Sequence, residues 1–236
     1  MSEPNHFEDS TIAKEWIASI EAEKDGSRDK EIYPMLSAWI GEVSPSVVVE
    51  IGSGQGICSS KINLGSRRYI GIEPSLLLLE RAKELYTAPN KKFLEGSAYS
   101  LPLDSFGIDA VFSVGVWFHI KDLDKAHQEV ARILRDGGEL MVVTSNPNTD
   151  YLWESFFDEH VRDGKVIEGK VRTPAGALSK NLFFIHSEKE IADSLEKKGF
   201  TIISISKFGF GREGREAYQD EGLWMAIRAV KKLKIR

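Results

Sequence analysis

Val47-Val48-Val49-Glu50-Ile51-Gly52-Ser53-Gly54-Gln55-Gly56 constrains this chain more than any other stretch. A run of β-branched apolar residues predicts a strand buried on both faces. It carries an acid, Glu50, and ends in three glycines spaced two apart. Glycine reaches positive φ and has no side chain, so the backbone can turn sharply and a ligand can approach it closely. Strand, glycine-rich turn and helix together are how open α/β sheets build a nucleotide site beyond the carboxyl end of a strand. A plain tight turn is the competing reading of the glycines taken alone.

Tyr69-Ile70-Gly71-Ile72-Glu73 predicts a second strand ending in a carboxylate. An acid there holds ribose hydroxyls in such units. It also sits where a negative charge favours the helix that follows, and both roles are compatible. Pro74 is expected in the first turn of that helix, over Leu76 to Ala82.

A dinucleotide site counted from Gly52 needs its third glycine at position 57, where Ile57 stands. An acid followed by Gly-x-Gly-x-Gly instead resembles motif I of the class I S-adenosylmethionine-dependent methyltransferases. The resemblance continues through Phe93-Leu94-Glu95-Gly96-Ser97-Ala98 with Leu101-Pro102-Leu103, through Ile108 to Val114, and through Glu129 to Leu140 with Gly137-Gly138. It implies a Rossmann-like, doubly wound α/β fold. That fold has a mostly parallel seven-stranded sheet, an antiparallel last strand, an N-terminal helical cap and an insertion after the fifth strand.

The same resemblance implies cofactor roles. Gly52, Ser53, Gly54 and Gly56 would shape the turn beneath the methionine portion, with Glu50 oriented towards it. Glu73, followed by Pro74, would hold the ribose. Ser97 and Ala98 would edge the adenine, and the Val114 carbonyl would face the amino group. Many relatives carry an aspartate where Ser97 stands, and a hydroxyl accepts the adenine amine more weakly.

One methyltransferase domain over 1–236 is expected, with four parts. The cap, 1–45, holds helical patterns over Thr11 to Ala22 and Ile32 to Ile40, the second ended by Gly41. Arg28, in the link between them, is either a grip for the cofactor's carboxylate or a surface arginine. The core, 46–146, alternates strands and helices, which implies a parallel sheet covered on both faces. Its last helix, Asp124 to Leu134, should end at Gly137-Gly138, before a fifth strand over Leu140 to Thr144. The insertion, 147–187, reads as an aromatic helix over Tyr151 to Phe157 and a hairpin of Lys165 to Arg172 with Leu182 to His186. A connection this long is expected to wall a substrate pocket. The remainder, 188–236, reads as a helix over Glu188 to Lys198 and strands over Phe200 to Phe208 and Leu223 to Ala229.

A formal net charge of −5 argues against a general nucleic-acid or membrane binder. The basic end, Lys231 to Arg236, reads as solvated. The single cysteine, Cys58, excludes an intramolecular disulfide and fits buried packing. No apolar leader or membrane-length run is present, so a cytoplasmic setting is expected. Oligomeric state is not legible.

His119 and His186 are the candidate general bases, each with packing as its alternative, and Tyr33 and Tyr151 are candidates to orient a substrate. The fourth strand ends in Ser113-Val114-Gly115-Val116, without the Asn/Asp-Pro-Pro-aromatic element of nucleic-acid amino-methylating enzymes. Without acids at those strand ends, no metal is expected. The expectation is methyl transfer from S-adenosylmethionine to a small-molecule N, O or C acceptor. Transfer to a peptide or protein, or a cofactor-binding interaction protein without turnover, are its alternatives. A nicotinamide-dependent oxidoreductase is disfavoured by Ile57.

Overall fold

Val47–Ile51 forms β1, buried along its whole length as its β-branched run requires. In the computed structural model, which describes residues 6–22, 26–149, 157–172, 178–209 and 222–233, β1 pairs in parallel with β2 (Arg68–Glu73) and β4 (Ile108–Val114). The chain runs outward through β2 to β3 (Lys91–Glu95), then returns to the other side of β1 for β4 and β5 (Leu134–Ser145). This reversal opens a crevice beyond the carboxyl ends of β1 and β4, where such sheets bind ligands. The main sheet has seven strands, closed by β9 (Phe200–Phe208) and β10 (Trp224–Lys231), with β10 antiparallel to both β5 and β9.

Helices cover both faces. α2 (Tyr33–Val43) packs Leu36, Trp39 and Ile40 against Val48, Tyr69, Phe112 and Val143. On the opposite face, α5 (Leu123–Ile133) and α6 (Glu188–Lys197) bury Val130, Ile133, Ile191 and Leu195 against Val49, Val111 and Val142. α1 (Ser10–Ala22) lies over the loop that follows β1, and α4 (Leu76–Tyr86) follows β2. α3 (Cys58–Lys61) is a single turn after the glycines.

A buried relay ties the two helices to the exit of β4. Trp117 Nε1–H donates to His127 Nε2 at 2.8 Å, and His127 Nδ1 lies 2.8 Å from Ser194 Oγ. Ser194 Oγ in turn donates to Asp124 Oδ1 at 2.6 Å. An indole is donor only, so His127 must present a bare Nε2 and carry its proton on Nδ1. Burial also pushes its pKa down to about 3, keeping it neutral.

Several boundaries depart from expectation. The second helical pattern begins with a π turn over Arg28–Ile32, so Arg28 is helical rather than part of a link. Gly41 does not end α2. Nothing opposes its missing side chain, and the helix continues to Val43, stopping where Ser44 turns left-handed at φ 48°. Pro74 precedes its helix, because the Glu73 carboxylate accepts Ser75 N–H and holds Ser75 extended as the N-cap. Gly137 and Gly138 lie within β5, not after α5. The β4–β5 register jumps from Ile108–Leu134 to Ala110–Glu139, and Gly137 at φ +73° absorbs the bulge.

Phe157 opens a strand, not the end of a helix. β6 (Phe157–Asp163), β7 (Val166–Arg172) and β8 (Leu178–Phe184) form a three-stranded antiparallel sheet, one strand more than the expected hairpin. Lys231 is not solvated, since it donates to the carbonyls of Ala131 and Leu134 at the end of α5.

Replacing His127 by leucine keeps bulk but leaves Trp117 Nε1–H buried without its acceptor. Chemical denaturation should show a loss of about 1–3 kcal/mol, the cost of one buried unsatisfied donor.

Candidate active site

The crevice is built around the loop after β1. Its backbone is tied to β2, with Gly52 N–H and Ser53 N–H both donating to the Ile72 carbonyl at 2.8 and 3.0 Å. Gly52, Gly54 and Gly56 all have positive φ, at 71°, 53° and 81°. Their surroundings differ. A Cβ on Gly52 would stand 2.2 Å from Val116 Cγ2, and one on Gly56 would stand 2.8 Å from Phe93 and 2.9 Å from Ala82. A Cβ on Gly54 would meet nothing within 4 Å. Two glycines therefore let the core close beneath the loop, and the middle one keeps an open cradle above it. Ser53 Oγ is buried against Gly71 without a hydrogen-bond partner among the described residues.

Glu73 ends β2 at this cradle. Its Oε2 accepts Gly54 N–H at 2.9 Å and its Oε1 accepts Ser75 N–H at 2.9 Å. Each oxygen keeps a lone pair for a further donor. Burial raises its pKa to about 7, against the lowering effect of the two N–H groups. Glu50 lies beneath the loop, on the face covered by α2. It accepts a hydrogen bond from Tyr69 Oη and another from the Cys58 thiol, and burial still raises its pKa to about 8. Burial likewise pushes Tyr33, Cys58 and Tyr69 upwards.

The N-terminal segment crosses this cradle. Ser75 Oγ donates to the Phe7 carbonyl at 2.7 Å, Gln55 Nε2 donates to the Ile17 carbonyl at 3.1 Å, and Arg81 pairs with Glu21 at 3.0 Å. Arg28 lies over the Trp16 ring at 5.8 Å. It is close enough to Tyr33 and Cys58 for its charge to offset a small part of the rise that burial gives both.

At the exit of β4, Val114 is half-buried against the α2-side core. The turn Trp117–His119 then presents His119, half-buried, beside Phe118 at 4.5 Å and Phe183 at 5.1 Å between ring centres. His186 is placed differently. Its Nε2 lies 2.6 Å from the Ile120 carbonyl, so that nitrogen carries a proton and fixes the segment after His119. Ser97 Oγ accepts Tyr99 N–H at 3.3 Å within its own loop, and Ala98 is buried beside it. Tyr151 lies outside the described residues. Among the described residues no group of three or more His, Cys, Asp or Glu is arranged for a metal, and no helix is long and apolar enough to cross a membrane.

The structure thus brings Gly52, Gly54, Gly56 and Glu73 together. The same cleft gains Phe7 and Ser75, which the sequence reading did not single out. Phe7 stands alone among polar residues and carries no periodic signal.

Residues 49–142 match the family model described as a methyltransferase domain. An uncharacterized methyltransferase of Mycobacterium tuberculosis (strain ATCC 25618 / H37Rv) is 28% identical over 149 residues, 62% of this chain and 60% of the relative. The chain therefore spans about 60% of the length of the first curated relatives it matches. A ubiquinone/menaquinone biosynthesis C-methyltransferase of Allorhizobium ampelinum is 26% identical over 176 residues, 70% of this chain and 68% of the relative. A Thermotoga maritima structure described as a SAM-dependent methyltransferase, possible histamine N-methyltransferase, superposes with a TM-score of 0.62 at 22% identity. It covers 94% of this chain and 99% of that one, a likeness of fold.

The glycine contrast is testable by denaturation. A left-handed alanine costs about 1–2 kcal/mol at either position, and Gly52→Ala should lose about 1–3 kcal/mol more than Gly54→Ala because Val116 must move. Stability should also respond to pH through Glu50 and Glu73. Both have folded pKa values above the ordinary 4.5, so their contribution is full below 4.5 and is lost as pH rises through about 7 and about 8. Glu73→Gln should flatten the lower part of that decline.

Proposed function

Because the chain belongs to the class I S-adenosylmethionine-dependent methyltransferases, we propose that it transfers a methyl group from S-adenosylmethionine to a small-molecule acceptor by in-line displacement. The observation that carries this reading is the open cradle at Gly54 with the Glu73 carboxylate fastened to its backbone at 2.9 Å. A flat, hydroxyl-bearing ligand fits there, because the backbone can be approached and the carboxylate has acceptor capacity left.

The cofactor supplies an electrophilic methyl group on its sulfonium. The residues of this chain do the rest. Glu73 takes the ribose hydroxyls, and the backbone of Gly52, Ser53 and Gly54 supports the methionine portion. Ser97, Ala98 and Val114 border the adenine and amino-group ends. Arg28 reaches the carboxylate. Pro74 stiffens the exit of Glu73, and Glu50 acts from below by bracing the loop through Tyr69 and Cys58. Alignment of the two reacting groups under the N-terminal segment excludes water and supplies much of the acceleration.

We assign His119 the role of base for an acceptor hydroxyl, a reading supported by its half-buried place at the exit of β4 beside Phe118 and Phe183. His186 holds the adjoining backbone, as its bond to Ile120 supports. An amine acceptor would need no such base. The acceptor is taken as a small molecule, in keeping with the quinone-pathway relative named above. The domain is taken as one unit, without metal or nucleic acid, in a cytoplasmic setting.

Calorimetric titration with S-adenosylhomocysteine should show binding and a nicotinamide dinucleotide should not; the reverse pattern would overturn the proposal. Because ribose hydroxyls donate to an ionised carboxylate, affinity should rise as pH passes through about 7. Glu73→Gln should lose that rise. Glu73→Ala should weaken binding by about 1.5–3 kcal/mol, the range for hydrogen bonds to a charged group. With a hydroxyl acceptor, His119→Ala should slow transfer of labelled methyl by about 10²–10⁴-fold and leave S-adenosylhomocysteine affinity unchanged. Label entering tRNA or protein but no small molecule would refute the acceptor assignment.

A further inference from the structure

We infer that the acceptor site takes an uncharged planar ring, and that Phe7 of the N-terminal turn occupies the place of that ring when no acceptor is bound. The inference rests on the methyl-transfer reading and adds the substrate class. Phe7 lies in a single turn, His6–Glu8, ahead of α1. Its ring centre is 5.3 Å from that of Trp16 and 6.5 Å from that of His119, nearly perpendicular to the latter at 79°. Behind His119 stand Phe118, Phe183 and Phe157. Phe183 contacts Phe118 at 4.8 Å and Phe157 at 5.1 Å.

These rings come from three separate parts of the chain: the cap, the exit of β4 and the insertion sheet. Phe118, Phe157 and Phe183 are 7%, 7% and 8% exposed and form a fixed wall, whereas Phe7 and His119 are half-buried in front of it. Edge-to-face packing of this kind selects a planar ring over a puckered one, because the partial charges of ring edge and ring face must meet.

The seat of Phe7 is also the right place for an acceptor. Its carbonyl is held by Ser75 Oγ, and Ser75 N–H is held by Glu73, the proposed ribose ligand. Its ring points at His119, the proposed base. On the methyl-transfer reading, the acceptor would lie between those two residues.

Phe7 is built to leave. α1 has its own cap, with Asp9 Oδ1 accepting Thr11 N–H at 2.8 Å. It has its own tethers through Gln55 and Arg81. Releasing the Phe7 turn breaks the Ser75 bond and the contacts with Trp16 and His119, whereas the cap and tethers of α1 lie elsewhere on the chain.

The test uses the full chain saturated with S-adenosylhomocysteine and titrated with 2-naphthol, cyclohexanol and benzoate. Phe7→Ala vacates the seat and should bind 2-naphthol about three- to tenfold more tightly than the unmodified chain, the worth of one ring pair. Phe7→Trp, which fills the seat further, should bind it more weakly. Cyclohexanol and benzoate should gain nothing in either variant. Unchanged 2-naphthol affinity in Phe7→Ala, or an equal gain for cyclohexanol, would overturn the ring site while S-adenosylhomocysteine binding still upheld the cofactor reading. Failure of the unmodified chain to bind S-adenosylhomocysteine would overturn both.

Discussion

The carboxylate of Glu73 is the joint on which the crevice depends. One oxygen holds Gly54 N–H, the other holds Ser75 N–H. The first bond sets the height of the glycine loop over β2, and the second delays the start of α4 until Leu76. Ser75 is then left free to use its hydroxyl on the Phe7 carbonyl rather than as a helix cap. A single acid thus sets the loop, the helix entry and the seat of the N-terminal segment. Burying it is unfavourable for its charged form, and two backbone donors offset only part of that, as its raised pKa records.

A second buried acid lies one layer down. Glu50 faces the side of the sheet covered by α2, among Val48, Tyr69 and Cys58, and it draws a hydrogen bond from each of the two polar neighbours. The charge of Glu73 adds to the cost of ionising Glu50, since like charges disfavour joint ionisation. Two acids of raised pKa beneath one loop make its polarity sensitive to pH near neutrality. The opposite face of the sheet shows the other solution to a buried polar group. There Trp117, His127, Ser194 and Asp124 satisfy one another in sequence, and His127 avoids the problem by staying neutral.

Legibility followed the strength of local signals. β1 and β4 have the bounds expected from their apolar runs, because burial on both faces leaves a strand few other sequences. Boundaries set by tertiary contacts were not readable. Gly41 reads as a stop, yet an exposed glycine in a helix costs only about 1 kcal/mol and packing of Leu36, Trp39 and Ile40 outweighs it. β6 carries no strand signal in the sequence, because Phe157 to Asp163 is almost wholly exposed and polar, without alternation. Lys231 looked solvated because a basic tail gives no hint that one ammonium closes the end of α5. In the site, the glycines and Glu73 were legible because their chemistry is local. His127 and Phe7 carry no motif, and each depends on a partner 67 or 68 residues away.

The distribution of rigidity across the cleft follows from the same physics. Phe183 is buried between Phe118 and Phe157, so moving it opens a void against both. The turn carrying His119 is pinned from behind by the Trp117–His127 bond and from the side by His186 on the Ile120 carbonyl. A side chain held this way keeps a fixed position in the cleft, as the proposed role of base requires. The front of the cleft is fastened instead by separate polar contacts, from Ser75 to the Phe7 carbonyl, from Gln55 to the Ile17 carbonyl and from Arg81 to Glu21. Such bonds can be exchanged for water at a small net cost. The back of the cleft is thus fixed by buried side chains, and its front is held by exchangeable polar contacts.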